Sequence, residues 1–258
     1  MDSKSYGFIG GGRITRIFLK ALSNAGMTFP DVIVSDIIMG YLEKLKQTYP
    51  EICLSYNDDR LPARQDVVFI SLHPPLICDI LKAIRPELKD TAIIVSLAPK
   101  ITISKMQETL GGFDRIVRMI PNAPSIVNAG YNPVSFSAGI SEKEKSGLLK
   151  LFSNLGDCPE VAEEKLEAYA VLTAMGPTYL WFQLYELKNI MREFGLHEAE
   201  TEDGIRKMTE GALKTMFSGM TPEEVMDLVP VKPIGDVEEK IKETYRNKLL
   251  ATFNRIKP

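Results

Sequence analysis

Up to about residue 160, short apolar runs alternate with longer segments that carry helical periodicity and a charged face. That rhythm confines the chain to βαβ units, in which each crossover helix returns to lay the next strand parallel to the last. The runs at 6–9, 32–35, 67–71, 92–96, 116–119 and 134–137 predict strands, and most lack the polar alternation of a half-exposed strand. They are therefore expected to be buried on both faces. Beyond Val161 the pattern turns helical, with helices predicted over 163–173, 178–194, 198–218, 222–228 and 236–256. Thr221-Pro222-Glu223-Glu224 supplies an N-cap, a proline at N1 and first-turn acids, and Gly195 fits a C′ position. At 258 residues the chain is long enough for two cores. The expected fold is α/β, a doubly wound, mostly parallel sheet over 1–158 followed by an all-α domain over 159–258.

Between the first strand and the first predicted helix lies Gly10-Gly11-Gly12-Arg13-Ile14-Thr15. A helix N-terminus offers unpaired N–H groups and partial positive charge to a pyrophosphate, provided the backbone can come close. Gly10 makes the tight turn, Gly12 admits the phosphates, and Thr15 stands where the G-x-G-x-x-G pattern has its third glycine. In a βαβ chain this predicts a Rossmann dinucleotide-binding domain, with Gly10, Gly11, Gly12, Arg13 and Ile14 at the cofactor. Asp36 ends the second strand, where an acidic side chain accepts hydrogen bonds from the adenosine ribose and repels a 2′-phosphate. No arginine follows it, so NAD(H) is expected over NADP(H); its other reading is a cap on the next helix.

The formal charge of −3 provides no broad positive field for nucleic acid or an anionic membrane. No stretch approaches the roughly 18 uninterrupted apolar residues of a membrane span. The opening Met1-Asp2-Ser3-Lys4 lacks a basic and apolar leader, which points to the cytoplasm. Cys53, Cys78 and Cys158 are scattered without paired spacing and are expected to stay reduced. No spacing suggests a metal, and no Gly-x-Ser-x-Gly elbow suggests hydrolysis.

Along almost its whole length the chain resembles the pyrroline-5-carboxylate reductases, which reduce a cyclic imine to proline. Gly7-Phe8-Ile9-Gly10-Gly11-Gly12 is similar to the family's opening. Arg118-Met119-Ile120-Pro121-Asn122-Ala123-Pro124 looks like its Arg-x-Met-Pro-Asn-Thr-Pro segment, and Gly176-Pro177-Thr178-Tyr179 resembles the Gly-Pro-Ala-Tyr that opens its long helical segment. The resemblance implies a Rossmann domain followed by a helical domain that interlocks with a partner subunit. It also implies hydride transfer from a nicotinamide cofactor to a C=N bond.

The departures lie where substrate chemistry belongs. Thr173-Ala174-Met175 replaces Ser-Gly-Ser, and Val231-Lys232-Pro233-Ile234-Gly235-Asp236 replaces the Ser-Pro-Gly-Gly-Thr-Thr loop that holds the substrate carboxylate. His73-Pro74 stands for Lys-Pro, and Ala98-Pro99-Lys100 for Ala-Ala-Gly. The substrate residues expected here are Met175, Gly176 and Lys232, whose ammonium replaces the lost donors with a charge-assisted bond. Leu72, His73, Ala98 and Asn122 are expected at the cofactor. Asn122 has a donor and an acceptor for the nicotinamide end; its other reading is a cap on its own turn. Thr173, Lys232 and His73 are the candidate catalytic groups, His73 because an imidazole can act as a general acid.

Two other readings keep the nucleotide-binding half: a 3-hydroxyacid dehydrogenase-like or deazaflavin-dependent reductase, and a catalytically idle dinucleotide-sensing dimer. The segment over 178–194 is apolar around most of its circumference, which predicts a core or subunit-interface helix and at least a homodimer.

Overall fold

The computed structural model describes residues 4–258; part of the opening segment read for a leader, residues 1–3, lies outside the described residues. In chain order the first half runs β1 (Tyr6–Ile9), α1 (Arg13–Asn24), β2 (Val32–Asp36), α2 (Met39–Thr48), β3 (Cys53–Tyr56), α3 (Arg60–Ala63), β4 (Val67–Ile70) and α4 (Pro74–Ile84). It continues with β5 (Ile93–Ser96), α5 (Ile103–Thr109), β6 (Ile116–Met119), β7 (Gly130–Tyr131), β8 (Val134–Phe136), α6 (Glu142–Phe152) and β9 (Gly156–Asp157). Seven strands form one sheet in the order β3-β2-β1-β4-β5-β6-β8, all parallel except β8. The doubly wound, mostly parallel Rossmann architecture expected from the βαβ rhythm is thus the observed one.

The sheet is buried on both faces because successive side chains point to opposite sides. Phe8, Val67, Phe69, Val95, Val117 and Met119 enter one core with Phe18, Leu42 and Leu45. Ile9, Val68, Ile70, Ile94 and Ile116 enter the other with Ile77, Leu81 and Met106. In the first core the Phe8 and Phe69 rings stack with centroids 4.5 Å apart, and Phe18 lies 5.4 Å from Phe69.

Strand β3 was absent from the sequence expectation. As an edge strand it buries only Ser55, so Cys-Leu-Ser-Tyr carries too little apolar signal to stand out. The two-residue strands β7 and β9 were also unanticipated; they pair Gly130 with Gly156, where a Cβ on Gly156 would stand 2.2 Å from the Gly130 carbonyl oxygen.

The helix expected over 163–173 is realised as a 3-10 turn at Glu163–Lys165, α7 (Leu166–Tyr169) and a π-helical turn at Ala170–Ala174. This stretch packs with the sheet. The compact units are residues up to Met175 together with Thr252–Pro258, and Gly176–Ala251, so the division falls seventeen residues later than the expected 158/159 boundary. The fastening is ionic. Arg118 on β6 is fully buried, and its guanidinium reaches Glu163 at 2.8 Å and Glu167 at 2.6 Å. Beside it Leu166 and Ala170 pack on Ile120, with Ile256 against the cluster.

The second unit contains α8 (Pro177–Glu193), α9 (Glu198–Met216), α10 (Pro222–Asp227) and the larger part of α11 (Glu238–Ile256). Its boundaries follow the expected caps. Thr221 and Glu224 form a reciprocal capping box ahead of α10. Gly195 takes φ +93° after α8, with its N–H on the Arg192 carbonyl and that of Leu196 on Met191, a Schellman closure. Thr201 alone is buried among the described residues of this unit, and α8 buries none of its residues within the chain. The core reading of 178–194 is therefore set aside, because α8 is at most half-buried within the single chain.

Gly7 had no role in the sequence beyond opening a motif. A Cβ there would sit 2.0 Å from the Pro62 carbonyl oxygen, so α3 can lie against β1 only if residue 7 has no side chain. Gly7→Ala is expected to lower stability by about 1–3 kcal/mol or more, because the obstacle is backbone and cannot swing aside. A lower urea midpoint checks this, and an unchanged midpoint contradicts it.

Candidate active site

Five predicted cofactor positions stand on neighbouring strands at one edge of the sheet. Asp36 ends β2; Gly10, Leu72, Ala98 and Asn122 follow β1, β4, β5 and β6 by one to three residues. In open α/β sheets the crevice outside the carboxyl ends of the strands, where strand order reverses, is the place for a ligand. Here the reversal lies between β1 and β4.

The glycine turn is shaped from both sides. Gly10 takes φ +102°, and a Cβ on it would stand 2.6 Å from the Ser71 carbonyl oxygen and 3.2 Å from Leu72 Cδ2. Its N–H donates to the Ser35 carbonyl at 2.9 Å. Gly11 would bring a Cβ to 3.4 Å from Val34, Leu42 and Leu45, whereas a Cβ on Gly12 would meet nothing within 4 Å. Gly12 is the N-cap of α1, whose first intrahelical bond runs from Arg16 N to the Gly12 carbonyl at 3.2 Å. The N–H groups of Arg13 and Ile14 thus precede the helical ladder at the exposed start of the helix, where an anion is favoured. Arg13 is exposed, and Ile14 packs against the core. Thr15 donates its hydroxyl to the Gly10 carbonyl at 2.5 Å, fully buried, so the residue in the third-glycine position ties the helix to the turn.

Asp36 does two jobs at once. Its Oδ2 accepts the Gly11 N–H at 2.7 Å and its Oδ1 the Ile38 N–H at 2.8 Å, which organises the glycine turn and the start of α2. Each oxygen has further lone-pair capacity for a ribose hydroxyl. Around it the surface is acidic: Asp59 accepts from Ser35 Oγ at 2.5 Å, and Arg60 is paired with Asp58 at 2.7 Å. The Arg60 partner holds the Asp58 carboxyl down at about 2.

Asn122 is buried and its amide is engaged within the protein. Nδ2 donates to the Thr173 carbonyl at 3.3 Å, while Oδ1 accepts from Tyr131 N at 3.2 Å and Ser125 Oγ at 3.3 Å. Asn122 stands at the N-cap of the 3-10 turn over Ala123–Val127, but its side chain makes no capping bond and instead ties that turn to Tyr131 and Thr173. These bonds also bring Thr173 to Asn122, a juxtaposition no sequence spacing implies. The Thr173 hydroxyl donates to the Tyr169 carbonyl at 2.9 Å. His73 is exposed at the N-cap of α4, ahead of Pro74 at N1. Met175 closes the first compact unit, Gly176 opens the second, and exposed Lys232 lies within the second.

Sequence reasoning passed over Glu163 and Glu167. Each also accepts a backbone N–H from the chain that follows β5: Glu163 from Ile103 at the start of α5 at 2.7 Å, Glu167 from Lys100 in the loop at 2.9 Å. The signal was present in Ile116-Val117-Arg118-Met119, since an arginine inside an apolar strand requires a buried partner. Among the described residues no cluster of three His, Cys, Asp or Glu could hold a metal, and no helix is long and apolar enough to cross a membrane. Burial pushes the Cys158 thiol up to about 11, as for an inert packing residue.

Comparison with known proteins adds length to this geometry. Residues 5–100 match the family described as NADP oxidoreductase, coenzyme F420-dependent. The chain is 26% identical to the pyrroline-5-carboxylate reductase of Corynebacterium melassecola over 251 residues, 96% of this chain and 92% of that protein. It is 24% identical to that of Methanosarcina acetivorans over 273 residues, covering 100% of this chain and 98% of that protein. A crystal structure of the Plasmodium falciparum pyrroline carboxylate reductase with NADP bound superposes with a TM-score of 0.83 at 19% identity, covering 100% of this chain and 98% of that one. The first match spans only part of the sheet-bearing unit, whereas the others extend through the helical unit as well. Over nearly its whole length the chain is thus similar to pyrroline-5-carboxylate reductases, and its fold is theirs as well.

Proposed function

We propose that this protein is an NAD(P)H-dependent oxidoreductase that reduces the C=N bond of pyrroline-5-carboxylate or a related cyclic imine. The observation that carries the reading is the glycine turn at the N-terminus of α1, with open space at Gly12, in a chain that matches imine reductases from end to end. When bound, a reduced nicotinamide supplies the hydride for the imine carbon. The chain's own residues do the rest. The N–H groups at the start of α1 hold the pyrophosphate, and Gly12 lets it approach. Leu72 and Ala98 wall the crevice, and Asn122 faces the nicotinamide end through the turn it stabilises. His73 or Thr173 delivers a proton to the imine nitrogen; Met175 and Gly176 line the substrate, and Lys232 takes the carboxylate that the family's hydroxyl-rich loop would hold.

The cofactor preference within this proposal is NAD(H). Asp36, Asp58 and Asp59 concentrate negative charge at the ends of β2 and β3, where a 2′-phosphate would have to sit, and the guanidinium of Arg60 is already paired. A homodimer joined through the C-terminal helices is also part of it, because Phe182 and Tyr185 on α8 are 65% and 66% exposed in the single chain. A cytoplasmic setting agrees with three free cysteines.

Titrated side by side, NADH is expected to bind at least about tenfold more tightly than NADPH, about 1.4 kcal/mol of like-charge repulsion. NADH oxidation should then be stimulated by pyrroline-5-carboxylate in a panel of cyclic imines. Tight binding with no turnover on any imine would overturn the reductase reading in favour of a dinucleotide sensor. Light scattering should return a mass of twice 28.8 kDa or more, and a monomer mass contradicts the dimer. Lys232→Ala should raise the imine KM about tenfold or more and leave NADH affinity unchanged, as expected for loss of a charged hydrogen bond. An unchanged KM removes Lys232 from the site.

A further inference from the structure

Strand β6 sends Ile116 into one apolar core, and two residues on, on the same face, it sends Arg118. A buried ion pair is weak evidence of stability, because apolar residues of similar volume often serve as well. What the charges supply here is direction. One oxygen of Glu163 receives both Arg118 Nη1 and the N–H of Ile103; one oxygen of Glu167 receives both Arg118 Nη2 and the N–H of Lys100. Lys100 has φ +81°, a conformation that non-glycine residues rarely adopt and that must be held from outside. The guanidinium thereby joins three pieces of chain, the loop that follows Ala98, strand β6, and the 163–174 stretch whose Thr173 carbonyl accepts from Asn122. Two of these carry residues assigned above to the nicotinamide and imine, and the third leads straight into Asn122.

We propose that Arg118 is a positioning residue for imine reduction, acting through Glu163 and Glu167 to set the Lys100 turn and the Thr173 segment against the ends of β5 and β6. This rests on the reductase reading. The phosphate-binding turn after β1 shares none of these bonds, so the Arg118 cluster governs the reacting end of the site and leaves nucleotide affinity alone.

The test uses full-length protein and two variants. Arg118→Lys keeps a charge but lacks a planar fork to engage both carboxylates. The paired replacement Arg118→Met/Glu167→Leu removes the fully buried pair and leaves charged only Glu163, which is partly exposed, and so keeps a folded comparison should the single variant fail to fold. For the pair we expect an unchanged urea midpoint and NADH Kd, faster amide exchange at Lys100, and a kcat lowered about tenfold to a hundredfold, the scale of a misplaced reacting geometry. Wild-type kcat and KM in the paired variant would overturn the proposal. So would a loss of midpoint, NADH affinity and kcat together, which is the mark of a merely structural role. Wild-type protein that binds NADH and reduces no imine overturns the reductase reading and this inference with it. Wild-type turnover matched by the paired variant overturns this inference alone.

Discussion

A parallel sheet buried on both faces leaves its polar chemistry one place to stand, the rim at the carboxyl ends of the strands. In this protein β4, β5 and β6 bury every residue they contain, and nearly every one is apolar. Polar groups inside such a sheet would lose water without gaining partners. The positions expected at a ligand therefore gather at or just past the strand ends, at Asp36, Gly10 to Gly12, Leu72 to His73, Ala98 and Asn122. The sheet's strand order then decides which of these become neighbours.

Close backbone approach is the second constraint, and it separates glycines that look alike in the sequence. Gly7 and Gly10 are required by the protein itself, because Pro62 and Ser71 occupy the space a side chain would need. Gly12 is required by nothing in the protein, which is why it speaks for a ligand. Asp36 joins the two kinds of demand: it holds the glycine turn from below through Gly11 while keeping acceptor capacity toward the rim. Thr15 shows how a departure from a motif is absorbed, its hydroxyl satisfied by the carbonyl of Gly10.

The helical unit obeys a different economy. Its helices begin and end where the caps dictate, yet only Thr201 is buried there among the described residues. Large apolar side chains on α8, Phe182 and Tyr185 among them, are exposed in the single chain. Arg118 is the counterpart within the first unit, a charge where the alternation calls for an apolar residue, paired through Nη1 and Nη2 with two glutamates forty-five and forty-nine positions away.

Local chemistry by itself determined the strand and helix rhythm, the glycine turn, the acid at the end of the second strand, and the caps at Gly195 and Thr221, because each depends on residues within a turn or two of one another. The segment that resembles the pyrroline-5-carboxylate reductases also contained Asn122 and Arg118 without saying what either touches. The tertiary structure decided that β3 joins the edge, that the 163–175 stretch belongs with the sheet, that Asn122 meets Thr173, and that Arg118 is bound to Glu163 and Glu167. Those outcomes join residues far apart in the chain, and partners of that kind are chosen only when packing brings them within hydrogen-bond reach.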